Sequence, residues 1–388
     1  MGLVGSFETM RRGIGVTIGF LIAAGYIAGL VTIYRAHVIR VRHAEVIPIR
    51  RPPAKILGNG DLTALIIDGE GHAEVLDGQK HLAMTSLSPA DPSTRFLSGV
   101  LTPTGRVYLV DARKVLTRWS ASRPMESSKP LKVDGDMLEI TVEESRQILW
   151  CATLRHDLSP DALMLYAISL KNGKQIGSVN LEAHRGTISI VTSHAGNGIV
   201  LATSDSPGAF YFTVDGKTIR SKFLDAGDLV TSAAFSDADI LLGLKSGPVL
   251  MVDSETGKLK HTFESDFLPV TQIAVDGRLI GIGHGDGDSS TGIGSFDVFD
   301  GSTGELKSKC GTRDRVTSVT SDGVAGQFVF GQRFGMVQIA RDTDSRGAAE
   351  VSGLGALGEI RLIAIKDGCC LILGAKRACR FELPKLGD

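Results

Sequence analysis

The sequence predicts an all-β fold, a seven-bladed β-propeller preceded by a single transmembrane α-helix, and three observations carry that prediction. Beyond residue 53, apolar runs of about four to eight residues recur between Gly, Asp, Asn and Ser clusters, with no sustained 3.6-residue apolar period. A four-strand unit repeats along the same stretch. Ahead of it, residues 13–34 form one uncharged apolar run of about 20 residues, the length that crosses a hydrocarbon core. The chain divides accordingly into a short tail (1–12), the membrane helix (13–34), a basic juxtamembrane connector (35–53) and the propeller domain (54–388).

Composition sets the frame for these elements. The 388 residues are 43% hydrophobic and 22% charged, a globular mixture. With 42 Lys and Arg against 43 Asp and Glu the net charge is −1, which gives nucleic acid no overall attraction. The 47 glycines suit short strands joined by tight turns. Five cysteines (Cys151, Cys310, Cys369, Cys370, Cys379) have neither C-x-x-C spacing nor an even count, so they read as buried small hydrophobes in a reducing compartment. Strand alternation at Cys369 and Cys370 would turn only one of them to the core.

In the apolar run, Gly15, Gly19, Gly25 and Gly29 fall on one stripe of a helix. Their small-xxx-small spacing allows close approach of a second helix within lipid, so they are the expected helix-packing residues. The segment has no small-residue cleavage site after it and reads as an uncleaved anchor rather than a signal peptide. Arg11 and Arg12 precede it, while Arg35, Arg40, Arg42, Arg50, Arg51 and Lys55 follow. That count places the following domain on the cytoplasmic side of a plasma or inner membrane, rather than the periplasmic side. The same six residues form a candidate membrane-surface basic set, since cations near anionic headgroups contribute about 1 kcal/mol each. Residues 43–53, polar and rich in proline, read as an extended link.

The repeat is clearest over residues 230–263, where 230–237, 239–246, 247–257 and 258–263 read as strands a to d of one blade. Residues 270–309 and 187–223 repeat the pattern. Weaker copies cover 82–121 and 138–181, followed by 316–342 and 360–383. The last unit has three strands, and residues 55–78 are expected to supply its fourth, closing the ring and removing exposed edges. If residues 55–78 instead build a blade of their own, the propeller is eight-bladed.

Asp253 to Lys258 and Asp300 to Glu305 are similar to the D-x-x-T-G-K/E turn between strands c and d of WD40-like blades. With these turns the repeats resemble WD40-like or quinoprotein-like β-propellers over nearly everything after the connector. The Gly-His and Trp-Asp signatures of WD40 repeats are missing. Quinoprotein blades usually carry tryptophan docking residues, whereas this chain has only Trp119 and Trp150, so the resemblance implies a fold and no quinone cofactor.

Catalytic motifs are sparse. The nine histidines show no H-E-x-x-H, and His184 and His194 suit turn or cap roles. Residues 283–292, with Asp286 and Asp288, are rich in oxygen ligands, yet they lack the third acid and closing Glu of a calcium loop; they read as a long hairpin loop and remain only weak metal candidates. Gly353, Gly355 and Gly358 match G-x-G-x-x-G outside any β-α-β context and read as a turn. The expected function is therefore a non-enzymatic, membrane-anchored scaffold without cofactor. It would be an accessory subunit of a membrane complex, with the bilayer and other membrane subunits as partners. The rival readings are an enzyme or ligand- or metal-binding sensor acting at the central channel, and a periplasmic envelope assembly factor.

Overall fold

A computed structural model describes residues 38–383 apart from 42, 59–60, 80, 90, 121–122, 158–160, 183–187, 193–197, 204, 266, 287–292, 324–325 and 342–347. Among the described residues the chain forms eight antiparallel sheets, each wound from an inner strand a to an outer strand d. Three of them show the plan. Blade 1 runs through Pro53–Gly58, Thr63–Asp68, Ala73–Asp77 and Ala83–Leu87. Blade 5 is Val230–Ser236, Asp239–Leu244, Val249–Asp253 and Leu259–Phe263, and blade 6 is Val270–Asp276, Leu279–Gly285, Gly294–Asp300 and Leu306–Thr312.

Closure differs from the sequence expectation. Residues 55–78 belong to blade 1, so the propeller has eight blades rather than seven, and residues 83–87, expected to open the first blade, are the outer strand of blade 1. The fourth strand of blade 8 comes from the connector: Ala44–Pro48 pairs antiparallel with Arg377–Glu382. Just before it, Val38–Arg40 adds a fifth, parallel strand to Ala349–Ser352 of blade 7. The propeller therefore begins inside the stretch read as a link. The reason is physical: the last blade ends at strand c with an unpaired edge, and Ala44 and Ile47 bring apolar side chains to the cores beside it.

The propeller has a ring of cores rather than one. Each apolar cluster lies between two successive blades: Trp150, Leu165 and Phe212 fill the space between blades 3 and 4, and Phe296, Phe328 and Phe330 that between blades 6 and 7. Because each blade is packed on both faces, side chains pointing either way from a middle strand are buried, and these strands read as continuous apolar runs rather than as alternation. Cys369 and Cys370 illustrate this. They point to opposite faces, yet both are buried, one toward blade 1 and the other toward blade 7, which corrects the expectation that only one faces a core. All five cysteines are free and buried. Burial pushes the thiol of Cys379 up to about 11 and that of Cys310 up to about 12, away from reactive thiolate.

The D-x-x-T-G turns connect strands c and d as expected. The Asp253 carboxylate accepts from the Thr256 backbone N–H and hydroxyl, both at 2.7 Å, and Gly257 takes φ +73°, which lets the turn close.

No helix among the described residues is long and apolar enough to cross a membrane. The apolar run 13–34, with Gly15, Gly19, Gly25 and Gly29, lies outside the described residues, as do Arg35 and Arg42.

Candidate functional site

The inner strands line the channel, and seven of them slip register by one residue near their start. The bulged residues are Ala54, Leu97, Leu138, Thr231, Thr271, Thr317 and Arg361. A bulge re-aims a side chain, and here several point at the next blade. Thr231 donates to Val270 O at 2.6 Å and to Gly243 O at 3.2 Å. Thr317 donates likewise to Ile360 O and to Gly331 O, while Arg361 reaches Pro53 O across the closing joint.

Glycine completes this joint. A Cβ on Gly243 would lie 2.5 Å from Val270 Cγ1, and one on Gly283 would lie 2.6 Å from Val316 Cγ1, so the first inner-strand side chain of the next blade fills the space each glycine leaves.

Blade order puts the b–c and d–a connections on one face of the ring. At the channel mouth on that face, a cavity of about 430 Å³ is lined by Thr231, Thr271, Gln272, Arg315, Glu359 and Arg361, among others. Glu359 is held between two guanidinium groups: Arg315 Nη2 lies 3.3 Å from Oε1, and Arg361 Nη2 lies 3.2 Å from Oε2. One carboxylate shared by two arginines leaves this rim electropositive. Around the same face stand exposed apolar side chains, Phe267 (97% exposed), Phe334 (73%) and Ile293 (56%), all on connections of blades 6 and 7. Phe334 also lies under the Arg333 guanidinium.

Farther round the channel, Lys55 corrects its sequence assignment. It forms an ion pair with Glu139 of blade 3 and reaches Ser98 of blade 2 at 3.5 Å, so it is a channel residue rather than a membrane-surface cation. Burial holds the Glu139 carboxyl above its ordinary value, with the Lys55 charge pulling the other way. Arg51 is likewise engaged, 3.1 Å from Asp68. Arg40 and Arg50 are exposed.

Two polar clusters escaped sequence reasoning. Asp68, Glu70 and His72, on the b–c turn of blade 1, bring their ligand atoms within 4.8 Å of one another, a D-x-E-x-H spacing that could have flagged them. The Asp68 carboxylate, however, accepts from the Glu70 and His72 backbone N–H groups at 2.9 Å each and pairs with Arg51, which already supplies the positive charge. Although burial pushes that carboxyl up, these bonds outweigh it and hold Asp68 low.

In blade 6, Ser265 Oγ lies 2.8 Å from His284 Nε2 and hydrogen-bonds Asp297, while His284 Nδ1 lies 3.1 Å from Leu268 O. The serine stands between imidazole and carboxylate, whereas a nucleophilic triad needs the imidazole between the other two. Both His284 and Asp297 are fully buried, so the cluster ties the d–a connection to the blade. Asp286 is exposed at the end of strand b; Asp288 lies outside the described residues.

No family model and no curated protein matches the chain. Solved structures do. The C-terminal WD40 domain of Sif2 matches with TM-score 0.64 at 10% identity, covering 88% of this chain and 98% of that one. Sqt1 of Saccharomyces cerevisiae matches with TM-score 0.62 at 13% identity (89% and 100% covered). BamB from Moraxella catarrhalis matches with TM-score 0.57 at 10% identity (89% and 98% covered). At such identities the likeness shows the fold alone, a β-propeller, and the eight sheets give its blade number.

Proposed function

We propose that this chain is a non-enzymatic scaffold, anchored in a membrane by residues 13–34, that docks other subunits of a membrane complex on the b–c/d–a face of its propeller. The observation that carries this reading is the exposed sector of Phe267, Ile293 and Phe334 beside the electropositive channel mouth, since aromatic anchors next to arginines are the composition of protein-binding hot spots. The glycine stripe at residues 15, 19, 25 and 29 adds a second contact, helix against helix, in lipid. The test is a mild-detergent purification from native membranes of the wild type and of the Phe267→Glu/Phe334→Glu variant. The same co-purifying membrane proteins should be recovered with the first and lost with the second. A wild type recovered alone as a monomer removes the reading.

The domain is proposed to face the cytoplasm, supported by the Lys/Arg count and by five free thiols. Because those thiols are buried, an impermeant thiol reagent must be given an exposed target such as Lys217→Cys. Labelling of that variant in intact cells would place the domain outside. The cavity at Arg315, Glu359 and Arg361 favours one further reading, a small-molecule sensor. Stoichiometric metal or cofactor retained by the purified protein would replace the scaffold with it.

A further inference from the structure

We infer that the rim of blades 7 and 8 is the surface that lies on the bilayer and touches anionic lipid headgroups; the inference rests on the anchor reading above. Its first ground is reach. The apolar run ends at Tyr34, and Val38 is already paired with Glu350 on the edge of blade 7. The four Cα steps between them span about 14 Å at most. The second ground is fixation. Val38–Arg40 and Ala44–Pro48 are both built into sheets, so the domain does not hang from a long connector but is held at one sector of its rim.

The third ground is charge. Arg40, Arg50, Lys376 and Arg377 are all exposed, and none forms an ion pair among the described residues. Packing gathers them from two ends of the chain. Ile49 N donates to Lys376 O at 3.0 Å and sets Arg50 beside the Lys376–Arg377 pair. Val41 N donates to Ser352 O at 3.0 Å, and the Ser352–Gly358 connection runs from there to Arg377, near Gly355, and Lys376, near Gly358. The nearby acids are few. Glu350 is the ladder partner of Val38, and Glu45 is engaged by Leu82 N. Relative to the sequence-based set, Lys55 turns into the channel, Arg51 stays exposed but is paired with Asp68, and Lys376 and Arg377 join the unpaired cations. Four unpaired cations within reach of the membrane end of the chain fit phosphate-bearing, net-negative headgroups.

The test uses the full chain reconstituted into vesicles of phosphatidylcholine with 30% phosphatidylglycerol, and into phosphatidylcholine alone. A fluorophore is placed at His43→Cys or, on blade 4 across the ring, at Lys217→Cys, with a short-range quencher on the headgroups. Quenching at position 43 is expected to exceed that at 217 at least threefold. Equal or reversed quenching, in protein that resists alkaline extraction from the vesicles, overturns the orientation while the anchor stands. Protein stripped by alkali shows instead that the anchor reading failed, and the inference falls with it. The Arg50→Glu/Arg377→Glu variant should lose quenching at 43 about twofold in the anionic vesicles and not in the neutral ones; an unchanged signal overturns the headgroup contact.

Discussion

Blades 5 to 7 and blades 8 to 3 solve the same joining problem differently. In the first sector a bulged threonine donates to the next inner strand, as Thr231 and Thr317 do, and glycines of strand b (Gly243, Gly283, Gly331) receive the side chain that opens the next blade. In the second the bulged residues are Arg361, Ala54, Leu97 and Leu138, and joints are made by Arg361 reaching Pro53, by the Lys55–Glu139 pair, and by a strand borrowed from the connector. Local, repeated joints can be copied blade by blade, whereas the closing sector depends on partners far apart in the chain. Stability in the two sectors should therefore respond to different changes.

The largest difference is expected on truncation. Removing residues 1–48 strips blade 8 of its outer strand and exposes the edge of Arg377–Glu382, and a loss of roughly 5 kcal/mol or more should leave an aggregating chain with no cooperative melt. Removing residues 1–37 should leave the melting midpoint unchanged. Equal behaviour of the two truncations would show that the borrowed strand is dispensable.

Within the repeated sector, Gly283→Val forces a branched side chain against Val316 and should cost about 1–3 kcal/mol by chemical denaturation. Gly69→Ala, with open space around it, is the matched control and should be near neutral. Thr317→Val, which removes both hydrogen bonds of one joint while keeping its shape, should cost about 1 kcal/mol, read as a shift in urea midpoint.

The smallest effect belongs to the closing sector. Glu139 is held above its ordinary 4.5, so its contribution is complete below that value and is lost as pH rises through the raised one. Glu139→Gln should remove this downward component from the stability profile between acid and neutral pH, leaving a flatter curve. A profile that keeps its slope would assign the effect to another group.

The same contrast explains what the sequence made legible. The clear copies at 187–223, 230–263 and 270–309 fall on blades 4 to 6, whose strands a to d are contiguous and whose joints are local. The seven-bladed count fails while the eight-bladed alternative holds, and the closing strand differs from expectation, because pairing of Ala44–Pro48 with Arg377–Glu382 leaves no periodic mark and because proline and arginine in 43–53 look like a link. Lys55 looks like a surface cation for a related reason: Glu139 of blade 3 meets it only once the blades are arranged around the channel, whereas Asp68 meets Arg51 within blade 1, by pairing of its first two strands. The mouth of Arg315, Glu359 and Arg361 is assembled from two adjoining blades at a channel, which no linear spacing announces. The double burial of Cys369 and Cys370 follows from blade-on-blade stacking, where alternation separates two cores rather than core from solvent.

The borrowed strand also sets an order for biosynthesis. Ala44–Pro48 leaves the ribosome before any of the blades and finds its partner only when Arg377–Glu382 emerges. Until then the ring is an open chain of blades with two unsatisfied ends. Whatever holds the early strand clear of other edges during that interval governs the yield of folded protein, and a stall before residue 377 should leave a product with every joint but the closing one.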